Sequence, residues 1–193
     1  MQKSLGKGWQ GQERVLSDKI IRYGIISDTH GHLAPAVHDV FDGVFKIFHC
    51  GDLGSNDVLH EMQTIAPLCA VHGNMDPWPV AGALSDGRTS PEKFGTAALY
   101  HGMRFGHDNG AIMNGMMRMF ADESPRLYLF GHTHNPIIRE QDGRLFINPG
   151  SATLPHRGEA PSVAILEYNT ETDILSAHHL ALPVEKKRRS LFS

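Results

Sequence analysis

The sequence has few cysteines, no long apolar run and little net charge. Only 2 of its 193 residues are cysteine. Cys50 and Cys69 lie in apolar strand-like segments, which predicts buried free thiols in a reducing compartment, not a disulfide scaffold. No run approaches about 18 apolar residues and none resembles a signal peptide, so we expect a cytoplasmic protein without membrane association. The net charge of −3 argues against extended nucleic acid as a partner.

Length and composition predict one globular domain. The 193 residues suffice for a substantial core. Residues 19–182 are predicted to form this domain, between a polar N-terminal extension (1–18) and a basic, solvated C-terminal tail (183–193). Homo-oligomerisation is left open. Histidine is in excess, with 13 residues against 9 Phe and 4 Tyr, and we expect some of these histidines to be metal ligands.

The first half of the chain alternates between strand and helix patterns. Helices are predicted at residues 35–41 and 56–64, the second capped by Ser55 or Asn56. They separate apolar segments that are predicted strands, at residues 20–27, 44–49 and 68–72. This order is typical of a parallel βαβ sheet, in which ligands bind at the carboxyl ends of the strands.

The second half is predicted to be richer in hairpins. Residues 76–91 are expected to form a loop, and residues 111–121 a Met-rich helix that fills the core. The remaining strands are predicted at residues 96–101 and 103–107 (a hairpin around Gly102), 126–130, 137–140 and 145–148 (a second hairpin), and 163–168 and 174–180. Parallel strands followed by hairpins predict two packed, mixed β-sheets flanked by helices.

Five predicted strand ends carry side chains that bind metals. They supply two Asp, one Asn and four His, in the segments Asp28-Thr29-His30, Gly51-Asp52, Gly73-Asn74, Gly106-His107 and Gly131-His132-Thr133-His134. Residues separated by one residue in an extended chain point the same way, so Asp28 and His30 can reach one cation. The Asp52 carboxylate has two oxygens and can bridge two cations. Such a set favours Mn, Fe, Zn, Co or Ni, and paired cations typically hydrolyse phosphate esters.

The five segments resemble the calcineurin-like metallophosphoesterase superfamily, whose pattern reads D-x-H, G-D, G-N-x-[D/E], H and G-H-x-H. The short length favours its YfcE-type phosphodiesterase branch, as do SDTHGH (27–32), HGNMD (72–76), FGHTH (130–134), NPGS (148–151) and a Pro-x-Arg-Gly turn (155–158). The resemblance implies a four-layer α/β/β/α sandwich. It also implies one cation on Asp28, His30, Asp52 and His134, and a second on Asp52, Asn74, His107 and His132.

The same resemblance implies the cofactors and the reaction. Two divalent cations, Mn²⁺ foremost, with Zn, Fe, Ni or Co as alternatives, would share Asp52 and activate a bridging hydroxide. That hydroxide would attack a small phosphodiester or nucleotide-like substrate, with Asn74 stabilising charge on the phosphate oxygens. A monoesterase and a nucleotide-specific diesterase are alternatives. A different class is a non-catalytic metal-binding scaffold or protein-interaction module on the same fold, as in the retromer scaffold subunit.

Two positions depart from the superfamily pattern. Met75 occupies the place of a histidine that is taken to protonate the leaving group, so His32, His72 and His101 are the candidates for that role. The branch usually shows His-Gly-His in the fourth segment, where this chain has two separated histidines. We prefer His107 over His101 as the ligand, because His107 ends a predicted strand whereas His101 begins a predicted turn.

Overall fold

A computed structural model describes residues 19–184, so the predicted extension and residues 185–193 of the predicted tail lie outside the described residues. No helix within the described range is long and apolar enough to cross a membrane. The elements in chain order are β1 (Ile20–Ile26), α1 (Ala36–Val40), β2 (Lys46–His49), α2 (Asn56–Ile65), β3 (Leu68–Ala70), α3 (Trp78–Ala81), β4 (Gly87–Glu92), β5 (Gly95–Tyr100), α4 (Asn109–Met119), β6 (Leu127–Leu129), β7 (Ile137–Gln141), β8 (Arg144–Asn148), β9 (Ser162–Asn169) and β10 (Ile174–Ala181).

The strands form two mixed sheets. The first has the order β10-β9-β1-β2-β3, with β1, β2 and β3 parallel and β9 and β10 antiparallel. The second has the order β4-β5-β6-β8-β7, with β5, β6 and β8 parallel and the outer strands antiparallel. The predicted parallel start and hairpin-rich end are confirmed.

Three apolar layers hold the sheets and helices together. The helices α1 and α2 cover the first sheet through Val37, Phe41 and Met62. The two sheets face each other through a second apolar cluster that includes Tyr23, Phe48, Leu99, Leu129, Ile147 and Leu166. The Met-rich helix α4 covers the second sheet with Met113 and Met116, both buried. The predicted four-layer α/β/β/α sandwich is therefore confirmed, and Met113 and Met116 fill the core as predicted, whereas Met119 is exposed.

Side-chain caps fix where the two longer helices begin. The Ser55 hydroxyl accepts a hydrogen bond from the Val58 N–H at the start of α2, and the Asp108 carboxylate accepts one from the Ala111 N–H at the start of α4. Both satisfy amide groups that lack partners within the helix. Cys50 and Cys69 are free and buried, as predicted.

Two predictions for residues 76–107 are wrong. The expected loop at 76–91 contains α3 and most of β4, because Pro77 starts a helical turn and β4 pairs with β5. The expected hairpin around Gly102 is absent, since residues 103–107 form no strand. The hairpin in this region instead turns at residues 93–94, and β5 ends at Tyr100, directly before His101.

Candidate metal centre

The carboxyl ends of strands from both sheets meet at one place. In the first sheet, backbone hydrogen bonds join the turns after β1 and β2, from Asp28 N–H to the Gly51 carbonyl (3.0 Å) and from His30 N–H to the Asp52 carbonyl (3.0 Å). In the second sheet, the Gly131 N–H donates to the His101 carbonyl (3.1 Å), which joins the turns after β5 and β6. Parallel strands thus gather distant segments of the chain at one edge, as the sequence predicts.

Five residues at these strand ends have left-handed backbone conformations. They are Asp28, His30, Asp52, His132 and His134, with φ angles of 55°, 47°, 55°, 67° and 54°. Such conformations are disfavoured for residues other than glycine and concentrate at functional sites, where surrounding structure holds them. Each turns the chain sharply after its strand, so that several polar side chains converge without long loops.

The first group of candidate ligands combines Asp28, His30 and His134. The His134 Nδ1–H donates to the Leu154 carbonyl (2.6 Å), so the lone pair lies on Nε2. That nitrogen is 3.1 Å from Asp28 Oδ1 and 3.4 Å from His30 Nε2. Locking one imidazole nitrogen with a backbone carbonyl is the usual way in which proteins present the other nitrogen to a metal.

The second group combines Asp28, Asp52 and His101, all buried. The His101 Nδ1–H donates to the Cys50 carbonyl (2.8 Å), and its Nε2 faces Asp52 Oδ2 at 3.3 Å. Neither His101 Nε2 nor Asp28 Oδ1 makes a hydrogen bond, although both atoms are buried. Buried polar atoms without partners are costly. A cation between them would satisfy both, so these residues fit a metal centre.

His107 lies at the edge of this cluster. Its exposed imidazole stacks on that of His132, with ring centroids 4.5 Å apart, and it belongs to neither candidate group in the described residues. The strand-end reason for preferring His107 is wrong, because His101 is the residue that follows a strand. The imidazoles of His132 and His101 have ring centroids 5.1 Å apart, and the backbone N–H of His132 donates to Asp28 Oδ2 (3.3 Å). Metal binding by His107, as predicted from the sequence, stays untested, and the buried His101 is the alternative to it.

The turn after β3 packs directly on Asp52. The Met75 N–H donates to Asp52 Oδ1 (2.8 Å), which places the exposed Asn74 beside the Asp52 carboxylate. Asp76 anchors this turn, because its two oxygens accept hydrogen bonds from Gly54 N–H (2.7 Å) and Gly73 N–H (2.8 Å). Asp76 is not among the residues given a role from the sequence, although its place in HGNMD, at the acidic position of G-N-x-[D/E], is a signal for one.

The NPGS segment (148–151) donates hydrogen bonds to the turns that carry candidate ligands. Ser151 Oγ donates to the Asp28 carbonyl (2.9 Å), and Asn148 Nδ2 donates to the Gly131 carbonyl (2.9 Å) and to Thr133 Oγ1 (2.9 Å). These bonds fix the turns that carry the first Asp and the His-x-His pair. The segment therefore orients candidate ligands and does not itself supply one.

Local electrostatics favour the protonation states that metal binding requires at Asp52 and His132. Burial raises the pKa of Asp52, but His101 and the Met75 N–H outweigh it, so the net shift is downward. Burial, together with the neighbouring imidazoles of His101 and His107, lowers the pKa of His132. An ionised carboxylate and a neutral imidazole are the forms that bind cations. Burial lowers the pKa of His101, but Asp52 and Asp28 outweigh it, so the net shift is upward, and the contact with Asp28 raises the pKa of His134. A cation would therefore compete with a proton at these two imidazoles.

The three histidines predicted as candidates for donating a proton to the leaving group differ in how deeply they are buried. His101 is fully buried with both nitrogens directed at protein atoms, which removes it from contact with a leaving group. His72 Nδ1 lies 3.3 Å from the Gly73 carbonyl oxygen, and His32 is exposed. Met75 is 63% exposed and supplies no proton. His32 and His72 stay as predictions for this role.

Known proteins resemble this chain over most of its length. A protein of Methanothermobacter thermautotrophicus named probable metallophosphoesterase is 35% identical over 154 residues, which cover 77% of this chain and 86% of the relative. A protein of Methanocaldococcus jannaschii named phosphodiesterase is 28% identical over 163 residues, which cover 76% of this chain and 93% of the relative.

A solved structure shares the fold. Vacuolar protein sorting 29 from Cryptosporidium parvum superposes with a TM-score of 0.67 at 18% identity, and the match covers 86% of this chain and 99% of that one. The sequence model of the calcineurin-like phosphoesterase superfamily domain matches residues 21–171, which include every candidate ligand. The chain therefore belongs to the calcineurin-like phosphoesterase superfamily.

Proposed function

We propose that this protein is a phosphodiesterase that depends on two divalent cations, Mn²⁺ foremost. The first cation would be held by Asp28, His30, Asp52 and His134. The second would be held by Asp52, Asn74, His132 and, in place of His107, His101. The observation that carries the proposal is that two imidazoles, each locked at Nδ1 by a backbone carbonyl, direct Nε2 at buried carboxylates.

The protein's own groups would position the substrate. When bound, the two cations would supply the Lewis acidity that activates water and neutralises phosphate charge. Asn74 is exposed beside Asp52 and would donate its amide hydrogens to a phosphate oxygen. A phosphodiester is favoured because a relative is named phosphodiesterase and because Met75 replaces the superfamily histidine. Small diesters and nucleotide-like diesters are both compatible with this arrangement.

The test combines metal content with hydrolysis. The purified protein is stripped with a chelator and reloaded with Mn, Ni, Zn or Mg, and its metal content is measured by mass spectrometry. Hydrolysis of bis(p-nitrophenyl) phosphate is compared with that of p-nitrophenyl phosphate. We expect two Mn²⁺ per chain and a higher kcat/KM for the diester. A higher value for the monoester would overturn the diester assignment.

A matched pair of variants tests the shared carboxylate. Asp52→Asn should lose metal and at least 100-fold of the activity, a loss of about 3 kcal/mol in transition-state stabilisation. Asp142→Asn is the control, because Asp142 has a similar φ of 52° but lies in the exposed β7–β8 turn. A folded parent protein that binds no metal and hydrolyses neither ester would favour the protein-interaction module, and one that binds metal without hydrolysis would favour the non-catalytic metal-binding scaffold.

A further inference from the structure

His49 is a fully buried histidine directly behind the candidate metal centre. It is the last residue of β2, three positions before Asp52, and it is in neither group of candidate ligands. Its neighbours Ile47 and Phe48 are buried and apolar. A polar side chain at such a position costs free energy unless all of its hydrogen bonds are made. The partners of His49 therefore indicate what it does.

The hydrogen bonds of His49 fix its tautomer. Nδ1 lies 3.1 Å from the Gly51 amide nitrogen, which can only donate, so Nδ1 is the acceptor. Burial lowers the pKa of His49 to about 3, so the ring is neutral and its single proton is on Nε2. Nε2–H then donates to Thr29 Oγ1, 3.1 Å away.

Thr29 connects His49 by a second hydrogen bond to the turn that contains Asp52 and Leu53. Because Thr29 Oγ1 accepts from His49, its own hydrogen is available to the Leu53 carbonyl (3.0 Å). The same carbonyl accepts the Gly31 N–H (2.7 Å). Thr29 lies between the candidate ligands Asp28 and His30, and Leu53 follows Asp52. A continuous chain of hydrogen bonds thus runs from the end of β2 through one ligand turn to the other.

We propose that His49 is a positioning residue, which through Thr29 sets the distance between the Asp28/His30 turn and the Asp52 turn and thereby the affinity for divalent cations. It touches neither cation nor substrate. The proposal rests on the proposed function, since it concerns the same metal centre. Partners that orient metal ligands typically change metal affinity by 10–100-fold when they are removed.

Two substitutions separate the two hydrogen bonds of the ring. In His49→Gln the amide nitrogen can take the place of Nε2 and still donate to Thr29, whereas in His49→Asn the side chain reaches only the Gly51 N–H. Mn²⁺ affinity is measured by calorimetric titration of the chelator-stripped, folded protein. We expect His49→Asn to bind Mn²⁺ at least about 10-fold more weakly and His49→Gln to stay close to the parent.

Substitutions of Thr29 test the same chain from its other end. Thr29→Val should weaken Mn²⁺ binding as His49→Asn does, whereas Thr29→Ser, which keeps the hydroxyl, should bind Mn²⁺ like the parent. The double variant His49→Asn/Thr29→Val should bind Mn²⁺ no more weakly than either single variant, because both substitutions break the same chain of hydrogen bonds. Leu166→Ala, in the core between the sheets, is the control for stability alone and should leave affinity unchanged. Parent-like Mn²⁺ affinity in folded His49→Asn would overturn the proposal, as would an equal loss in Leu166→Ala.

A measurement without cations keeps the two proposals distinguishable. In the stripped parent protein, the nitrogen chemical shifts of His49 should report the Nε2–H tautomer. Amide exchange at Gly31 should accelerate in His49→Asn but not in His49→Gln. If the parent binds no cation, the proposed function fails, and these two readings alone decide the role of His49. The opposite tautomer, or unchanged exchange in His49→Asn, would overturn it.

Discussion

Gly73 and Asp52 approach so closely that position 73 has no room for a side chain. A Cβ atom there would lie 2.1 Å from Asp52 Oδ1 and 2.6 Å from the Asp52 amide nitrogen. Both neighbours belong to a turn that is held by backbone hydrogen bonds on two sides, so neither can move easily. The glycine of the Gly-Asn segment is therefore required by the carboxylate of the Gly-Asp segment.

Gly73→Ala should displace the Asp52 carboxylate. We expect a loss of metal and of phosphodiesterase activity comparable to that of Asp52→Asn, with a destabilisation of about 1–3 kcal/mol from overpacking. Gly110→Ala is the control, because Gly110 lies in helix α4 and its added Cβ would meet only the tip of Asp108 at 3.1 Å. Full metal retention in Gly73→Ala would contradict this close approach.

A second pair of variants decides between the two histidines of the fourth segment. His101→Ala should abolish binding of one cation, because the buried Nε2 beside Asp52 is lost. His107→Ala should retain both cations, because its imidazole is exposed and stacks only on His132 in the described part of the chain. Metal content per chain is the readout. Retention of two cations by His101→Ala and loss of one by His107→Ala would restore the assignment made from sequence.

Buried His49 should make stability depend on pH. Its pKa is about 3 in the native protein against 6.5 ordinarily, so below about pH 6.5 the unfolded chain takes up a proton that the native chain does not. The free energy of unfolding is therefore unaffected by His49 protonation well above that pH, and it decreases as the pH falls below it. Between about pH 7 and about pH 5 we expect a loss of about 2 kcal/mol relative to His49→Gln. Urea unfolding in chelator would measure this, and equal pH slopes for the two proteins would refute it.

Lys46 and Glu92 form an ion pair between the two sheets. Lys46 Nζ lies 2.5 Å from Glu92 Oε1, which also accepts from Ser90 Oγ (2.7 Å), and the Glu92 side chain is only 2% exposed. Lys46→Met should destabilise the fold by about 3–5 kcal/mol, because it strands a buried carboxylate. Lys46→Met/Glu92→Gln should recover much of that loss. Thermal unfolding gives both values, and a double variant no more stable than Lys46→Met would argue against the pair.

The first three candidate ligand turns were predictable because parallel strands leave a regular signal. Apolar runs ending at Asp28, Asp52 and Asn74, with helices between them, require that these residues meet at one sheet edge. The place of a residue directly after a parallel strand is enough to predict that it lies at this edge, whatever the geometry of the loop. The same holds for His132 and His134, which follow an apolar run.

The absence of the strand predicted before His107 has a physical cause. Residues 103–107 contain two apolar residues that could extend a hairpin, but Phe105 packs instead against Gly115 of α4, where a Cβ would lie 2.3 Å from its ring. This contact between distant residues leaves no local trace. The contact between Gly51 and His101 is equally invisible in the sequence, although a Cβ at position 51 would lie 2.6 Å from His101 Nδ1. The glycine makes room for an imidazole from the other sheet.

The left-handed turns at Asp28, His30, Asp52, His132 and His134 also bear on how such a protein could change over time. Each conformation disfavours the residue that occupies it, by about 1 kcal/mol or more, and glycine would relieve the strain. A chain released from the need to bind cations would therefore gain stability where glycine replaced one of these residues whose side chain makes no structural hydrogen bond. On this fold, the replacement of strained candidate ligands would stabilise the native state. Selection for activity is what would retain them.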